Sequence, residues 1–76
     1  MSEENLTGIG RKIKKLRQLH GFKQVLIAKE IGLSQTAYSK IETGDTTLTV
    51  TRAAAIAKAF GMSLTAFLEW EENILK

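Results

Sequence analysis

The chain has 76 residues, a formal net charge of +3 and no cysteine. This length allows one domain with one small core, and the lack of cysteine excludes disulfides and thiolate metal sites. Since His20 is the single histidine, a histidine-rich metal site is excluded too. No apolar run approaches the roughly 20 residues that span a bilayer, and the start, MSEENLTG, lacks the apolar segment of a signal peptide. We therefore predict one cytoplasmic domain over residues 1–76, without a cofactor or membrane contact.

The first predicted helix runs from about Leu6 or Gly8 to His20. Gly21 ends it, because glycine accepts the left-handed conformation of a helix C-cap. Its buried stripe recurs at helical spacing and consists of Ile9, Ile13 and Leu16. Proline is absent, and no segment alternates apolar and polar residues for long enough to predict a strand.

Two short helices joined by a tight turn are predicted in the middle of the chain. The second helix covers about Gln24 to Ile31 and ends at Gly32; the third begins after Ser34, a good N-cap, and stops at Gly44. The side chains predicted to face the core from this pair are Ile27, Ala28, Ile31, Ala37, Ile41 and part of Tyr38. This layout, over residues 24–44, is that of a helix-turn-helix, whose second helix enters the major groove of DNA.

The last two predicted helices complete an all-α, compact five-helix domain. Thr49 is the expected N-cap of the fourth helix, which runs to about Phe60, and Ser63 caps the fifth, at about residues 64–74. Their predicted apolar positions are Val50, Ala53, Ala54, Ala57, Phe60, Leu64, Phe67 and Leu68.

Charge is unevenly placed along the chain. Residues 1–40 carry a net charge of +5, and residues 41–76 carry −2. The basic half contains the predicted helix-turn-helix, which suggests a side that faces a polyanion. The alternative is a lysine-rich first helix that is simply solvated.

Over about residues 8–69 the chain resembles the Cro/repressor-type helix-turn-helix family, also called the XRE family. The segments that carry the resemblance are IGRKIKKLRQLHG, YSKIETG and IAKAFGMSLTAFL, together with Gln24, Ala28, Gly32 and Ser34 in their order and spacing. The resemblance implies a lambda-repressor-like DNA-binding domain, with residues 35–43 as the recognition helix.

The first residues of a recognition helix approach base edges. Gln35 can bond an adenine in two places, and Thr36 or Ser39 can bond a base or touch a thymine methyl group. The resemblance places base readers at the same three positions. The alternative is that these are ordinary solvent-exposed residues of a helix.

Phosphate contacts are predicted beside the base readers. Gln24 opens the second helix, where free N–H groups and the helix dipole favour a phosphate. The resemblance implies that a glutamine there contacts the DNA backbone, often while bracing the first residue of the recognition helix. The other predicted phosphate-binding residues are Lys23, Lys40 and Thr43. For Arg11 and Lys12, DNA contact and plain solvent exposure both stay open.

Arg17 and Glu42 are predicted to have a structural role. The resemblance implies a partly buried ion pair between them, which would lock the first helix against the recognition helix. Four positions depart from the family pattern, one of them Leu48, which replaces a common Pro. Lys23 replaces the usual Ser or Thr cap, while Val25 and Leu26 stand where acidic or polar residues are usual.

A dimer interface is predicted on the fifth helix. Phe67, Trp70 and Ile74 are spaced three and four residues apart, so they form one apolar stripe. We expect this stripe to meet its copy across a two-fold axis, with Trp70 as an anchor. The alternative is that Trp70 folds back onto the first helix as part of the core.

The sequence offers nothing for catalysis: one histidine, no cysteine, no glycine-rich phosphate loop and no evident carboxylate pair. Two functions without catalysis remain. The first is a homodimeric, sequence-specific, double-stranded DNA-binding transcriptional regulator. The second is a protein-interaction module, such as an antitoxin or an adaptor, because a fold does not dictate its function. The apolar residues Leu19, Val25, Leu26 and Trp70 keep this second function open.

Overall fold

The computed structural model describes residues 5–6 and 8–70. The helices are α1 (Gly10–His20), α2 (Gln24–Glu30), α3 (Gln35–Thr43), α4 (Val50–Ala59) and α5 (Leu64–Glu69), and the strands are β1 (Asn5–Leu6) and β2 (Leu48–Thr49). The predicted compact five-helix fold is confirmed, with a small pair of strands in addition. No helix within these described ranges is long and apolar enough to cross a membrane.

The two strands pair antiparallel, with Asn5 opposite Thr49 and Leu6 opposite Leu48. Strands of two residues are too short to leave an alternating pattern in the sequence. The first helix begins at Gly10, later than the predicted start at Leu6 or Gly8. Leu6 belongs to β1, and Gly8 has a left-handed φ of 69°.

Side-chain caps start three of the helices, as the sequence predicts. The hydroxyls of Ser34, Thr49 and Ser63 each accept a hydrogen bond from the backbone N–H three residues on, at 3.1 Å. Lys23 provides no such bond at the start of α2. The turn after α2 passes through Gly32, whose φ of 76° lets the chain reverse at little steric cost.

The core draws side chains from all five helices and from β2. Its members are Ile9, Ile13, Leu16, Ile27, Ala28, Ile31, Tyr38, Ile41, Leu48, Ala53, Ile56, Ala57, Phe60 and Phe67. Ile56 and Leu48 are buried although the sequence analysis did not assign them to the core, and Leu68, one of the predicted apolar positions of the fifth helix, is exposed.

Helix α1 crosses α3 at Gly10, where no side chain fits between the two backbones. A Cβ atom on Gly10 would lie 2.7 Å from the carbonyl oxygen of Glu42 and would also overlap the carbonyl oxygen of Ile41. This close approach fixes α1 against α3.

The predicted extent of the fifth helix is wrong. Helix α5 ends at Glu69, and Trp70 has extended backbone, with φ −64° and ψ 136°. Lys12 lies across this end of the helix: its Nζ donates to the carbonyl oxygens of Leu68, at 2.7 Å, and Phe67, at 3.4 Å. In a continuing helix these carbonyls would accept from N–H groups four residues later.

The predicted place of Phe67 in a dimer stripe is corrected as well. Phe67 is fully buried in the core of the single chain, so none of its surface is left for a second copy. Trp70 is partly buried and packs against the same core. Ile74 lies outside the described residues.

Candidate nucleic-acid interface

A shallow concave surface lies along the outer face of α3 and the start of α2. We call it the α3 groove. It is lined by Gln24, Gln35, Thr36, Ser39, Lys40, Thr43 and Asp45. The structure therefore brings together six of the seven residues predicted to contact DNA. The seventh, Lys23, is exposed at the N-cap of α2 and does not line the groove.

The exposure of these side chains follows from the orientation of α3. Tyr38, Ile41 and Glu42 turn toward the core, so the opposite side of the helix faces outward. Thr36 and Lys40 are exposed on that side, while Ser39 is half-buried. Hydroxyl, amide and ammonium groups at the start of an outward-facing helix are suited to base edges and phosphates.

Arg17 and Glu42 lie in direct contact beneath the groove. The guanidinium of Arg17 donates from Nε to Glu42 Oε2, at 2.6 Å, and from Nη2 to Glu42 Oε1, at 3.2 Å. A third donor, Nη1, bonds the carbonyl oxygen of Phe22 at 2.9 Å. The Glu42 side chain is 2% exposed and that of Arg17 is 13% exposed, so the pair is shielded from water.

The electrostatics of the pair keep both groups charged. Burial alone would raise the pKa of Glu42, but hydrogen bonds from Arg17 and Gln24 hold it below the ordinary value. The hydrogen bond to Glu42 raises the pKa of Arg17. Tyr38 is buried beside them, and this burial raises the pKa of its hydroxyl. Among the described residues, that hydroxyl has no hydrogen-bond partner.

A chain of hydrogen bonds connects the ion pair to the surface. Gln24 donates from Nε2 to Glu42 Oε1 at 3.0 Å. Gln35 in turn donates from Nε2 to Gln24 Oε1 at 3.3 Å. The predicted bracing of the first residue of α3 by Gln24 is thus present in the structure without DNA.

Asp45 is a groove residue that the sequence analysis did not single out. The Thr43 hydroxyl lies 2.9 Å from Asp45 Oδ2 and 3.2 Å from the carbonyl oxygen of Lys40, and it can donate to one of them at a time. Asp45 therefore occupies this hydroxyl and adds negative charge to the α3 groove. Its place directly after Gly44, at the end of α3, was the available signal.

Arg11 and Lys12, for which the sequence left both DNA contact and solvent exposure open, differ in the structure. Lys12 is engaged with the end of α5, and its Nζ lies 5.9 Å from the centre of the Phe67 ring. Its role is structural. Arg11 is exposed on the outward side of α1, where Lys14 and Gln18 line the same shallow depression.

A second concave surface adjoins the α3 groove and shares Thr36 and Lys40 with it. Its other lining residues include Thr46, Thr47 and Arg52, from the segment between α3 and α4 and from α4 itself. The guanidinium of Arg52 also donates to the carbonyl oxygen of Ile31 at 2.9 Å. The sequence analysis did not single out this threonine-rich segment.

Besides Leu68, three large apolar side chains are exposed among the described residues, and they lie outside both concave surfaces. Leu19 is 66% exposed near the end of α1, and Val25 and Leu26 are 53% and 42% exposed in the first turn of α2. These values exclude all three from the core.

A sequence profile of the helix-turn-helix family HTH_3 matches residues 13–67. No curated protein sequence matches the chain. Among solved structures, the DNA-binding domain of the P22 C2 repressor, residues 1–76, is 23% identical, with a TM-score of 0.74 and 100% of each chain covered. An HTH_3 family transcriptional regulator from Vibrio cholerae is 28% identical, with a TM-score of 0.70, over 79% of this chain and 34% of that one.

An enzyme contains a similar structure. Hydroxypropylphosphonic acid epoxidase from S. wedmorenis is 24% identical, with a TM-score of 0.69, over 87% of this chain. The match spans 35% of the epoxidase. At this identity the similarity shows a shared fold.

Proposed function

The chain belongs to the helix-turn-helix family, and from this premise we propose that it is a transcriptional regulator that places α3 in the major groove of a specific double-stranded DNA site. The observation that carries the proposal is the α3 groove, which gathers Gln24, Gln35, Thr36, Ser39, Lys40 and Thr43 on one face. We further propose that the protein acts in the cytoplasm by binding rather than by catalysis.

The side chains of the groove divide into two roles. Gln35, Thr36 and Ser39 are the proposed base readers, because they occupy the outward side of the first half of α3. The proposed phosphate contacts are Lys23, Gln24, Lys40 and Thr43. They lie at the start of α2 and in the second half of α3, where backbone contacts would fix the orientation of the helix.

We also propose that two copies bind one site. Helix α3 has nine residues, so a single copy meets only a short stretch of one groove. A two-fold pair would place the two α3 helices about 34 Å apart, on half-sites one helical turn apart. Protection of two symmetric half-sites in a footprint supports the pair, and protection of one half-site contradicts it.

Selection from random duplexes, followed by fluorescence anisotropy at two salt concentrations, tests the function. Gln35→Ala should lower affinity for the selected site by about 1–3 kcal/mol and leave random duplexes nearly unaffected. Lys40→Ala should weaken binding to all duplexes and flatten the salt slope by about one. Lys58→Ala is the matched control, because Lys58 is exposed outside the α3 groove. Equal losses for Gln35→Ala on selected and random DNA would refute its assignment as a base reader.

The exposed apolar residues Leu19, Val25 and Leu26 favour a second candidate function, the binding of a protein partner by an antitoxin or adaptor. The same experiment separates the two candidates. A chain with no preference for any duplex over random DNA, at either salt concentration, is a protein-interaction module. A selected duplex bound far above random DNA supports the regulator.

A further inference from the structure

The hydrogen bonds between Glu42, Gln24 and Gln35 have a fixed direction. Because Glu42 is a carboxylate, its oxygens only accept. The atom that Gln24 turns toward Glu42 must therefore be its amide nitrogen, which lies 3.0 Å from Oε1. The Gln24 oxygen then faces Gln35, whose amide nitrogen lies 3.3 Å away. The charge beneath the surface thus decides which atoms Gln35 has left for a ligand.

In this orientation Gln35 keeps one N–H donor and its amide oxygen. Adenine presents one acceptor, N7, and one donor, N6–H, in the major groove, whereas guanine presents two acceptors, N7 and O6. The free atoms of Gln35 match adenine. If the chain of amides were reversed, Gln35 would give its oxygen to Gln24 and turn both N–H groups outward. That pair of donors matches guanine.

We propose that Glu42 determines sequence specificity, by setting the amide orientation of Gln24 so that Gln35 reads adenine rather than guanine. The inference rests on the proposed function and deepens it. Glu42 is a positioning residue, because its side chain is 2% exposed and reaches the surface only through Gln24. The Arg17 guanidinium holds the carboxylate in place through two of its nitrogens.

The substitution Glu42→Gln should reverse the chain of amides. It keeps the shape of the side chain but replaces one oxygen by an NH₂ group. Arg17 has only donors, so its Nε, which makes the shorter bond, to Oε2, keeps the remaining oxygen. The introduced NH₂ group then takes the Oε1 position beside Gln24, and the longer bond from Arg17 Nη2 is lost. Gln24 then offers its oxygen to that group and its nitrogen to Gln35. Both N–H groups of Gln35 are released toward the DNA.

The experiment compares two duplexes that differ at one base pair. Selection with the wild-type chain defines the site, and loss of preference in Gln35→Ala identifies the pair that Gln35 reads. At that pair the wild type should prefer adenine over guanine by about 5- to 150-fold. In Glu42→Gln this ratio should fall by about tenfold or more, or should reverse. A ratio that stays at the wild-type value overturns the inference while leaving the proposed function intact.

Two further variants make the test independent of stability. Phe60→Leu loosens the core away from the groove, and it should leave the base ratio unchanged. Gln24→Met keeps the Arg17–Glu42 pair but removes the link to Gln35, so the adenine preference should fall several-fold even if Glu42→Gln does not fold. An unchanged ratio in Gln24→Met also overturns the inference.

Side-chain amide ¹H–¹⁵N spectra of the free protein give a readout without DNA. The NH₂ signals of Gln24 and Gln35 should both move in Glu42→Gln and stay in place in Phe60→Leu. Signals that do not move in Glu42→Gln contradict the reversal. If the wild type selects no duplex at all, the proposed function fails, and the inference fails with it.

Discussion

Replacing Glu42 by alanine should destabilise the fold far more than the loss of an exposed glutamate would. The change removes the acceptor of two Arg17 hydrogen bonds and of one Gln24 hydrogen bond. It leaves a guanidinium that is 13% exposed without its counter-charge. Breaking a buried pair by removing one partner costs about 3–5 kcal/mol. We expect the lower half of that range, because the Nη1 of Arg17 keeps its bond to the carbonyl oxygen of Phe22.

Thermal and urea unfolding followed by circular dichroism measure this cost. For a domain of this size, 1 kcal/mol corresponds to about 4–8 °C in melting temperature, so Glu42→Ala should melt more than about 12 °C below wild type. The double variant Arg17→Met with Glu42→Leu is the matched control, because it removes both charges together. It should be more stable than Glu42→Ala, since no uncompensated charge stays buried. A melting temperature for Glu42→Ala within a degree of wild type would refute the reasoning.

Three other perturbations have equally definite outcomes. Gly10→Ala should lower the free energy of unfolding by about 1–3 kcal/mol, because the added methyl group meets backbone carbonyls of α3. This loss should outweigh the better helix propensity of alanine. A urea midpoint at or above that of wild type contradicts the close crossing. Asp45→Asn keeps an acceptor for Thr43 but removes a negative charge from the α3 groove. Fluorescence anisotropy should therefore show several-fold tighter binding to every duplex, and this gain in affinity should decrease at high salt. An affinity equal to that of wild type would place Asp45 away from the DNA. The pKa of Glu42 is lowered in the folded state, so this group contributes stability that is complete above its unfolded pKa of about 4.3 and is lost as pH falls through its folded pKa. Urea midpoints should therefore stay constant from neutral pH to about 5 and decrease below about 4. If Glu42→Gln shows the same decrease, other carboxylates cause it.

The features that the sequence determined by itself are local ones. Ser34, Thr49 and Ser63 cap their helices through bonds to N–H groups three residues away, so a short window of sequence contains both partners. The apolar spacing of α1 likewise predicts the burial of Ile13 and Leu16, because the period of a helix is independent of what it packs against.

The groove was also accessible from the sequence, but by a different route. The outward positions of α3 follow from helical spacing, whereas the pairing of Arg17 with Glu42 followed only from the family resemblance. These residues are 25 positions apart, and no periodicity connects two separate helices. The family resemblance predicted the contact between Arg17 and Glu42, which local sequence patterns do not predict.

Only the tertiary structure decided where the last helix ends and which face is free. Nothing local stops a helix at Glu69, but Lys12, more than 50 residues away, occupies the carbonyl oxygens of Phe67 and Leu68. Phe67 then fills the core instead of meeting a second copy. The sequence contains Phe67 at an apolar position, but the surface that buries it is created only when the helices pack. Burial depends on all the elements present rather than on the spacing within one of them.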